Sequence, residues 1–114
     1  MGALTPKPWG SEELLEINEK YMLKKLVMRS GHKCSLQYHK NKIETIYVLK
    51  GLLRIYLGSD ENSLSFKDFA PGESVTIPAG EIHRMEGIND SVYLEASTPE
   101  IDDVIRIQDD YSRV

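Results

Sequence analysis

Residues 31–44 read Gly31-His32-Lys33-Cys34-Ser35-Leu36-Gln37-Tyr38-His39-Lys40-Asn41-Lys42-Ile43-Glu44, and residues 72–83 read Gly72-Glu73-Ser74-Val75-Thr76-Ile77-Pro78-Ala79-Gly80-Glu81-Ile82-His83. Gln37 and His39 are two residues apart, so on a strand both side chains project from one face. Lys40-Asn41-Lys42 is a polar tip that can turn the chain back and bring Glu44 toward the same place. His83 lies three residues past a Pro78-Ala79-Gly80 turn, at the expected start of another strand. Two imidazoles, a carboxylate and an amide oxygen form a mixed nitrogen and oxygen donor set suited to a borderline divalent metal. Short strands closed into a small barrel reconcile these spacings. Gln37, His39, Glu44 and His83 are therefore the candidate metal ligands.

The rest of the chain has the same texture. Turn residues recur at Pro8–Gly10, Asn18–Lys20, Ser30–Gly31, Lys50–Gly51, Gly58–Asn62, Ala70–Gly72 and Gly87–Asp90, mostly at intervals of about 8 to 12 residues, which predicts a sandwich or barrel. Between them lie β-rich runs at Tyr21–Met28, Thr45–Leu49, Leu52–Leu57, Glu73–Ile77 and Val92–Thr98. Asn18–Lys20 and Ser59–Asn62 read as hairpin tips. The best helical candidate is the tail, Glu100–Ile107, where Ile101, Val104 and Ile105 can share one face. The expected architecture is all-β in one domain over residues 1–114, with an N-terminal arm over about 1–10, a tail over about 99–114, and a short C-terminal helix.

Composition narrows the function classes. A chain of 114 residues suits one domain with one core. The net charge of −4 and a pI near 5.3 argue against nucleic-acid or anionic-membrane binding, which needs clustered positive charge. Cys34 is the lone cysteine, so no intrachain disulfide is expected and a reducing compartment is the simplest reading. No apolar run approaches the roughly 20 residues of a membrane span. Met1 to Pro6 lacks a basic region followed by an apolar stretch, so no signal peptide is expected and the cytosol is the default.

Strand parity then assigns faces. With Gln37 and His39 pointing inward, Ser35 and Lys33 follow, and Cys34, Leu36 and Tyr38 point outward. An outer face that apolar needs a cover, from another sheet, the N-terminal segment or a second subunit, and a homodimer is expected. Ile46 and Val48 accompany Glu44, and Met85 accompanies His83. Glu95 shares parity with Tyr93 and Ser97 on the last long strand, either as a carboxylate base beside the metal or as a surface charge. Lys33 and Lys25, near strand ends, are candidates for holding an anion at the barrel mouth. Cys34 is expected as a packed thiol, and His32 as a surface turn residue.

The two quoted stretches resemble the paired motifs of the cupin superfamily, G-x5-H-x-H-x3,4-E-x6-G and G-x5-P-x-G-x2-H-x3-N. Gly31, His39, Glu44 and Gly51, then Gly72, Pro78, Gly80 and His83, match. Gln37 stands where the first His is usual, and Gly87 where the closing Asn is usual. The resemblance implies a double-stranded β-helix, or jelly-roll, barrel. More narrowly, Lys7-Pro8-Trp9-Gly10-Ser11 resembles the R-P-W-G-x opening of the cupin domain in type II mannose-6-phosphate isomerases. Ser35–His39 resembles S-L-Q-x-H of that family, and Ile77–Arg84 resembles I-P-A-G-x-x-H-R. Asp102–Arg113 resembles D-D-I-V-R-x-x-D-D-Y-G-R. Gln37 then fits the family pattern. The departure lies at Lys40–Ile46, where the family typically continues H-H-R-x-E-H-W.

This resemblance implies a metal-dependent isomerase acting on a sugar or sugar phosphate by aldose–ketose interconversion. One divalent ion (Zn, Mn, Fe, Co or Ni) is expected on Gln37, His39, Glu44 and His83. Glu95 is the expected base, and Arg106, from the tail motif, can clamp an anion through its forked guanidinium. Lys33, Ser35 and Lys25 are the expected substrate contacts. Two further readings stay open. Two His and a carboxylate also suit an Fe(II) oxygenase, and the altered segment 40–46 suits a non-catalytic sugar-binding or accessory cupin.

Overall fold

A computed structural model describes residues 3–111; Met1 and Gly2 of the expected arm, and Ser112 and Arg113 of the tail motif, lie outside the described residues. The chain forms β1 (Ala3–Lys7), β2 (Gly10–Ile17), β3 (Met22–Met28), β4 (Leu36–Tyr38), β5 (Glu44–Lys50), β6 (Leu53–Gly58), β7 (Ser65–Phe69), β8 (Ser74–Ile77), β9 (Ile82–Gly87), β10 (Ser91–Ser97) and β11 (Ile105–Gln108). These build a six-stranded sheet ordered β1-β2-β3-β10-β5-β8 and a five-stranded sheet ordered β11-β4-β9-β6-β7. Every strand pair is antiparallel. Consecutive strands repeatedly cross between the sheets, as a jelly roll requires.

Alternation decides what faces the interior. In β3, Met22, Lys24, Leu26 and Met28 are buried while Lys25 is exposed. In β5, Glu44, Ile46 and Val48 are buried. In β10, Ser91, Tyr93, Glu95 and Ser97 are. Apolar members of these rows meet Leu53, Ile55 and Met85 of the other sheet to form the core. Each fully buried Ile, Leu or Met there contributes about 1.5–3 kcal/mol relative to exposure. Of the polar members, Lys24, Glu44 and Glu95 line one small cavity, and the buried His39 and His83 lie against Glu44.

The turns fit their residues. Asn18 Oδ1 accepts from the backbone N–H of Lys20 and Tyr21 at 2.9 and 3.1 Å, closing the β2–β3 hairpin where expected. Gly51 joins β5 to β6 with φ +88°, and a Cβ there would lie 2.3 Å from the Asp90 carbonyl oxygen. Only glycine meets both conditions.

Two expectations are corrected. The tail forms no helix: β11 pairs with β4, setting Ile105 opposite Tyr38 and Arg106 opposite Gln37. β4 would otherwise present unpaired backbone groups, and an edge strand satisfies them at once; a helix of two turns carries a costly nucleus and few packing contacts. The Ile105/Ile107 alternation is the signal that favours the strand. Cys34 does not face outward. It is 7% exposed and part of the core, because regular strand geometry starts only at Leu36 and Lys33 makes an isolated bridge with Glu86. With Cys34 inside, the dimer expectation loses part of its basis. The expected arm becomes β1, hairpinned on β2.

Candidate metal centre and cavity

Three segments carry the centre. His39 leaves β4 at the interior end, Glu44 opens β5 after the turn, and His83 is the second residue of β9. Gln37 lies directly opposite His83 across the β4–β9 pair. The Pro78–Gly80 turn is tied to this arrangement, since the Gly80 N–H donates to the His39 carbonyl at 2.7 Å. Gly80 adopts φ +86°, which lets the chain reverse just before β9.

His39 Nε2 lies 2.9 Å and His83 Nε2 3.3 Å from Glu44 Oε1. One donor atom from each residue falls within 4.8 Å of the others. The three side chains are almost wholly enclosed, at 4%, 0% and 2% exposure for His39, His83 and Glu44. Yet none of these three atoms makes a directed hydrogen bond among the described residues, which is costly for buried polar groups unless something else coordinates them. The imidazoles are already oriented from behind. His83 Nδ1 donates to the Glu81 carbonyl at 2.9 Å, and His39 Nδ1 donates to the Asp103 carbonyl. A carbonyl only accepts, so each Nδ1 carries the proton and each Nε2 offers its lone pair inward. Gln37 Oε1 is held at 2.5 Å by the Ser35 hydroxyl, itself buried. The residues present fit a divalent metal: two Nε2 lone pairs, a carboxylate and a nearby amide oxygen.

Charge tuning follows from the enclosure. Burial pushes the Glu44 carboxyl up, but contact with His39 and His83 and the Lys42 charge outweigh it and hold it well below the usual range. Burial lowers His83, and Glu44 more than reverses this, leaving it raised. Glu95 is buried and paired with Lys42 Nζ at 3.2 Å. Burial, reinforced by the negative charge of Glu44, pushes the Glu95 carboxyl up to about 7 against the pull of Lys42 and Lys24.

A cavity of about 70 Å³ has Gln37, Lys42, Glu44, Glu95, Glu12 and Lys24 in its lining. Gln37, Glu12 and Lys24 also line a wider mouth of about 460 Å³, together with Lys7, Asp102 and Arg106. Arg106 Nε is buried there without a hydrogen-bond partner among the described residues.

The structure brings together Gln37, His39, Glu44, His83 and Glu95, with Arg106 at the mouth. It does not bring in Lys25 or Lys33. Lys25 is exposed on the opposite face of β3, and Lys33 points out to Asp110 at 4.0 Å. Ser35 orients Gln37 and lines neither space. Sequence reading missed Lys24, although Met22, Leu26 and Met28 fix its inward phase. It also missed Lys42, treated as part of a polar tip, whose side chain turns in while Lys40 and Asn41 stay exposed.

Two antiparallel sheets folded face to face around such a His–Glu–His centre define a cupin. Within that class the chain belongs to the family of the mannose-6-phosphate isomerase C-terminal domain, whose model matches residues 3–109. It is 28% identical over 118 residues to mannose-1-phosphate guanylyltransferase ManC of Salmonella typhimurium, covering 95% of this chain and 22% of that protein. It is 24% identical over 117 residues to xanthan biosynthesis protein XanB of Xanthomonas campestris, covering 94% and 23%. The chain thus spans less than a quarter of the length of these relatives. Among solved structures, the capsular polysaccharide assembling protein CapF of Staphylococcus aureus superposes with a TM-score of 0.81 at 18% identity, covering 95% of this chain and 34% of that one. Oxalate decarboxylase of Bacillus subtilis gives 0.82 at 14%, covering 93% and 30%. KdgF of a Halomonas species gives 0.76 at 16%, covering 88% of both chains. At such identities the likeness is one of fold.

Proposed function

We propose that this chain is a metal-dependent sugar-phosphate isomerase that interconverts an aldose and a ketose. The observation that carries the reading is the buried carboxylate of Glu95, which lines the same small cavity as Gln37 and as Glu44 of the His39–Glu44–His83 centre. A divalent ion held by His39, Glu44 and His83, with Gln37 beside them, supplies Lewis acidity toward the carbonyl and hydroxyl oxygens of an open-chain sugar. Glu95 takes the proton from the carbon next to the carbonyl and returns it to the neighbouring carbon. One C–H bond breaks, another forms, and a hydroxyl proton passes between the two oxygens, so no outside oxidant or reductant is needed. Lys42 steadies Glu95 through Oε2. The wider mouth accommodates the remainder of the sugar, where Arg106, Lys7 and Lys24 offer cations to a phosphate. The relatives named for mannose 1-phosphate chemistry support a phosphorylated hexose as the substrate class.

The test is a panel of hexose and pentose phosphates, mannose 6-phosphate included, with Mn²⁺, Zn²⁺, Co²⁺ or Fe²⁺ added. Proton NMR in D₂O reads turnover and exchange at the carbon. Turnover is expected, with Glu95→Gln losing about 10²–10⁴-fold in kcat at unchanged metal content. No turnover across the panel at full metal occupancy sinks the isomerase. Ligand-dependent stabilisation without turnover would make this a binding module, and oxygen uptake with Fe²⁺ would make it an oxygenase.

A further inference from the structure

Asp103 lies in the segment between β10 and β11, outside both the ligand set and the cavity lining. Its carboxylate accepts three backbone N–H groups of the β4–β5 turn: Lys40 at 2.9 Å, Asn41 at 2.7 Å and Lys42 at 2.9 Å. Its own carbonyl accepts from His39 Nδ1. One residue therefore grips the turn that joins two ligands, His39 and Glu44, and also fixes the proton position on one of them. The turn is held elsewhere by mutual bonds of Ile43 and Thr98, at 3.0 Å each. Among the described residues, Asp103 supplies every side-chain bond to the backbone N–H groups of Lys40, Asn41 and Lys42.

We propose that Asp103 is a positioning residue for the metal centre, through which docking of the C-terminal segment sets metal affinity; this rests on the metal reading of His39, Glu44 and His83. With the carboxylate in place, residues 40–42 are fixed, and with them the direction of the His39 ring. The same grip fixes the backbone of Lys42, whose ammonium holds Glu95. Without the carboxylate, three backbone donors lose their partners, the turn relaxes, and Asp103 moves away from His39. Partners that orient ligands from behind are typically worth about 10- to 100-fold in metal affinity. Reciprocally, metal binding tightens the attachment of the C-terminal segment, because coupling between two sites runs both ways.

The experiment compares wild type, Asp103→Ala, Asp103→Asn and His83→Ala by Co²⁺ titration, following the visible absorption and the dissociation constant, with melting of each metal-free protein alongside. Wild type is expected to bind one equivalent and His83→Ala none. Asp103→Ala should bind about 10- to 100-fold more weakly with an altered absorption envelope. Asp103→Asn keeps one acceptor oxygen and should recover part of the loss. Faster amide exchange at residues 40–42 in Asp103→Ala would locate the effect in the turn. Wild-type affinity and an unchanged spectrum in a folded Asp103→Ala overturn the proposal even if its melting point falls. If wild type itself binds no Co²⁺, the metal reading fails and takes this role with it.

Discussion

Replacing Glu44 with Gln gives the sharpest test of the metal centre, because the two side chains have nearly the same volume and only the charge and donor strength change. In wild type, metal that binds the folded chain alone stabilises it by about 2.7 kcal/mol at a hundredfold excess over Kd. Unfolding entropy near 2.1 cal/mol/K per residue, taken over 114 residues, is roughly 0.24 kcal/mol/K, so that stabilisation raises Tm by about 11 °C. Glu44→Gln removes the only anionic member of the buried triad, whose Oε1 lies within 3.3 Å of both imidazole Nε2 atoms. Its metal-induced shift should shrink to less than about 2 °C at the same concentration. Differential scanning fluorimetry with and without Zn²⁺ or Mn²⁺, checked by metal analysis of the desalted protein, measures both. His83, held above its usual value by Glu44, must shed its proton to bind, so the wild-type shift should also fall as pH drops through that raised value. Superimposable wild-type melts with and without millimolar metal, or a full shift retained by Glu44→Gln, would refute the assignment.

Three other outcomes follow from particular contacts. Burial pushes the Cys34 thiol from 9.0 up to about 11, so it should resist maleimide at pH 8 while folded and react once denatured; the neutral form is the one the fold favours, so this group begins to cost stability as pH rises past about 9. Gly51→Ala combines left-handed backbone, worth about 1–2 kcal/mol, with a Cβ 2.3 Å from the Asp90 oxygen, and a chemical denaturation midpoint should fall visibly at unchanged slope. Arg106→Ala should raise KM for a phosphorylated sugar with a smaller effect on kcat and little on the unphosphorylated analogue, whereas equal losses for both substrates would remove Arg106 from phosphate binding.

Much of this molecule is legible in the chain because β-structure writes its faces with period two. Gln37 and His39 share a phase, Gly80 marks the turn ahead of His83, and Glu44 leads an apolar row through Ile46 and Val48. Those relations are local. Most of what escaped reading depended on partners far away in sequence. Lys24 was passed over for Lys25 despite a local signal, the inward phase of Met22, Leu26 and Met28, and only the pairing of β3 with β10 sets it opposite Glu95. Parity was carried one step too far at Cys34, where no continuous strand exists to transmit it. The Ile105/Ile107 alternation spoke for a strand in the tail, but the pairing that decides it is with β4, whose free edge it fills. Asp103 could not be read at all, because its function lies in three backbone groups about sixty residues earlier, and backbone groups leave no trace in side-chain type.

The centre is also a seam between the two sheets. Glu44 and Glu95 belong to the six-stranded sheet, whereas Gln37 and His83 belong to the five-stranded one, with His39 at the end of β4. Core residues such as Ile46 and Ile55 hold the sheets together at depth by burial alone, which is non-directional and tolerates small shifts. Toward the mouth the interior turns polar, and burial no longer secures the spacing. There the sheets approach through Glu44 against His39 and His83, a contact that leaves three buried atoms without directed bonds. Such an arrangement is poor as a structural ion pair, since enclosed charges are costly unless fully satisfied. It is well suited to coordination, in which one ion satisfies all three and fixes the distance between the sheets. Metal loss should therefore loosen the mouth before the core, with amide exchange rising first in the β4–β5 turn and at the start of β9 while β6 and β10 stay protected.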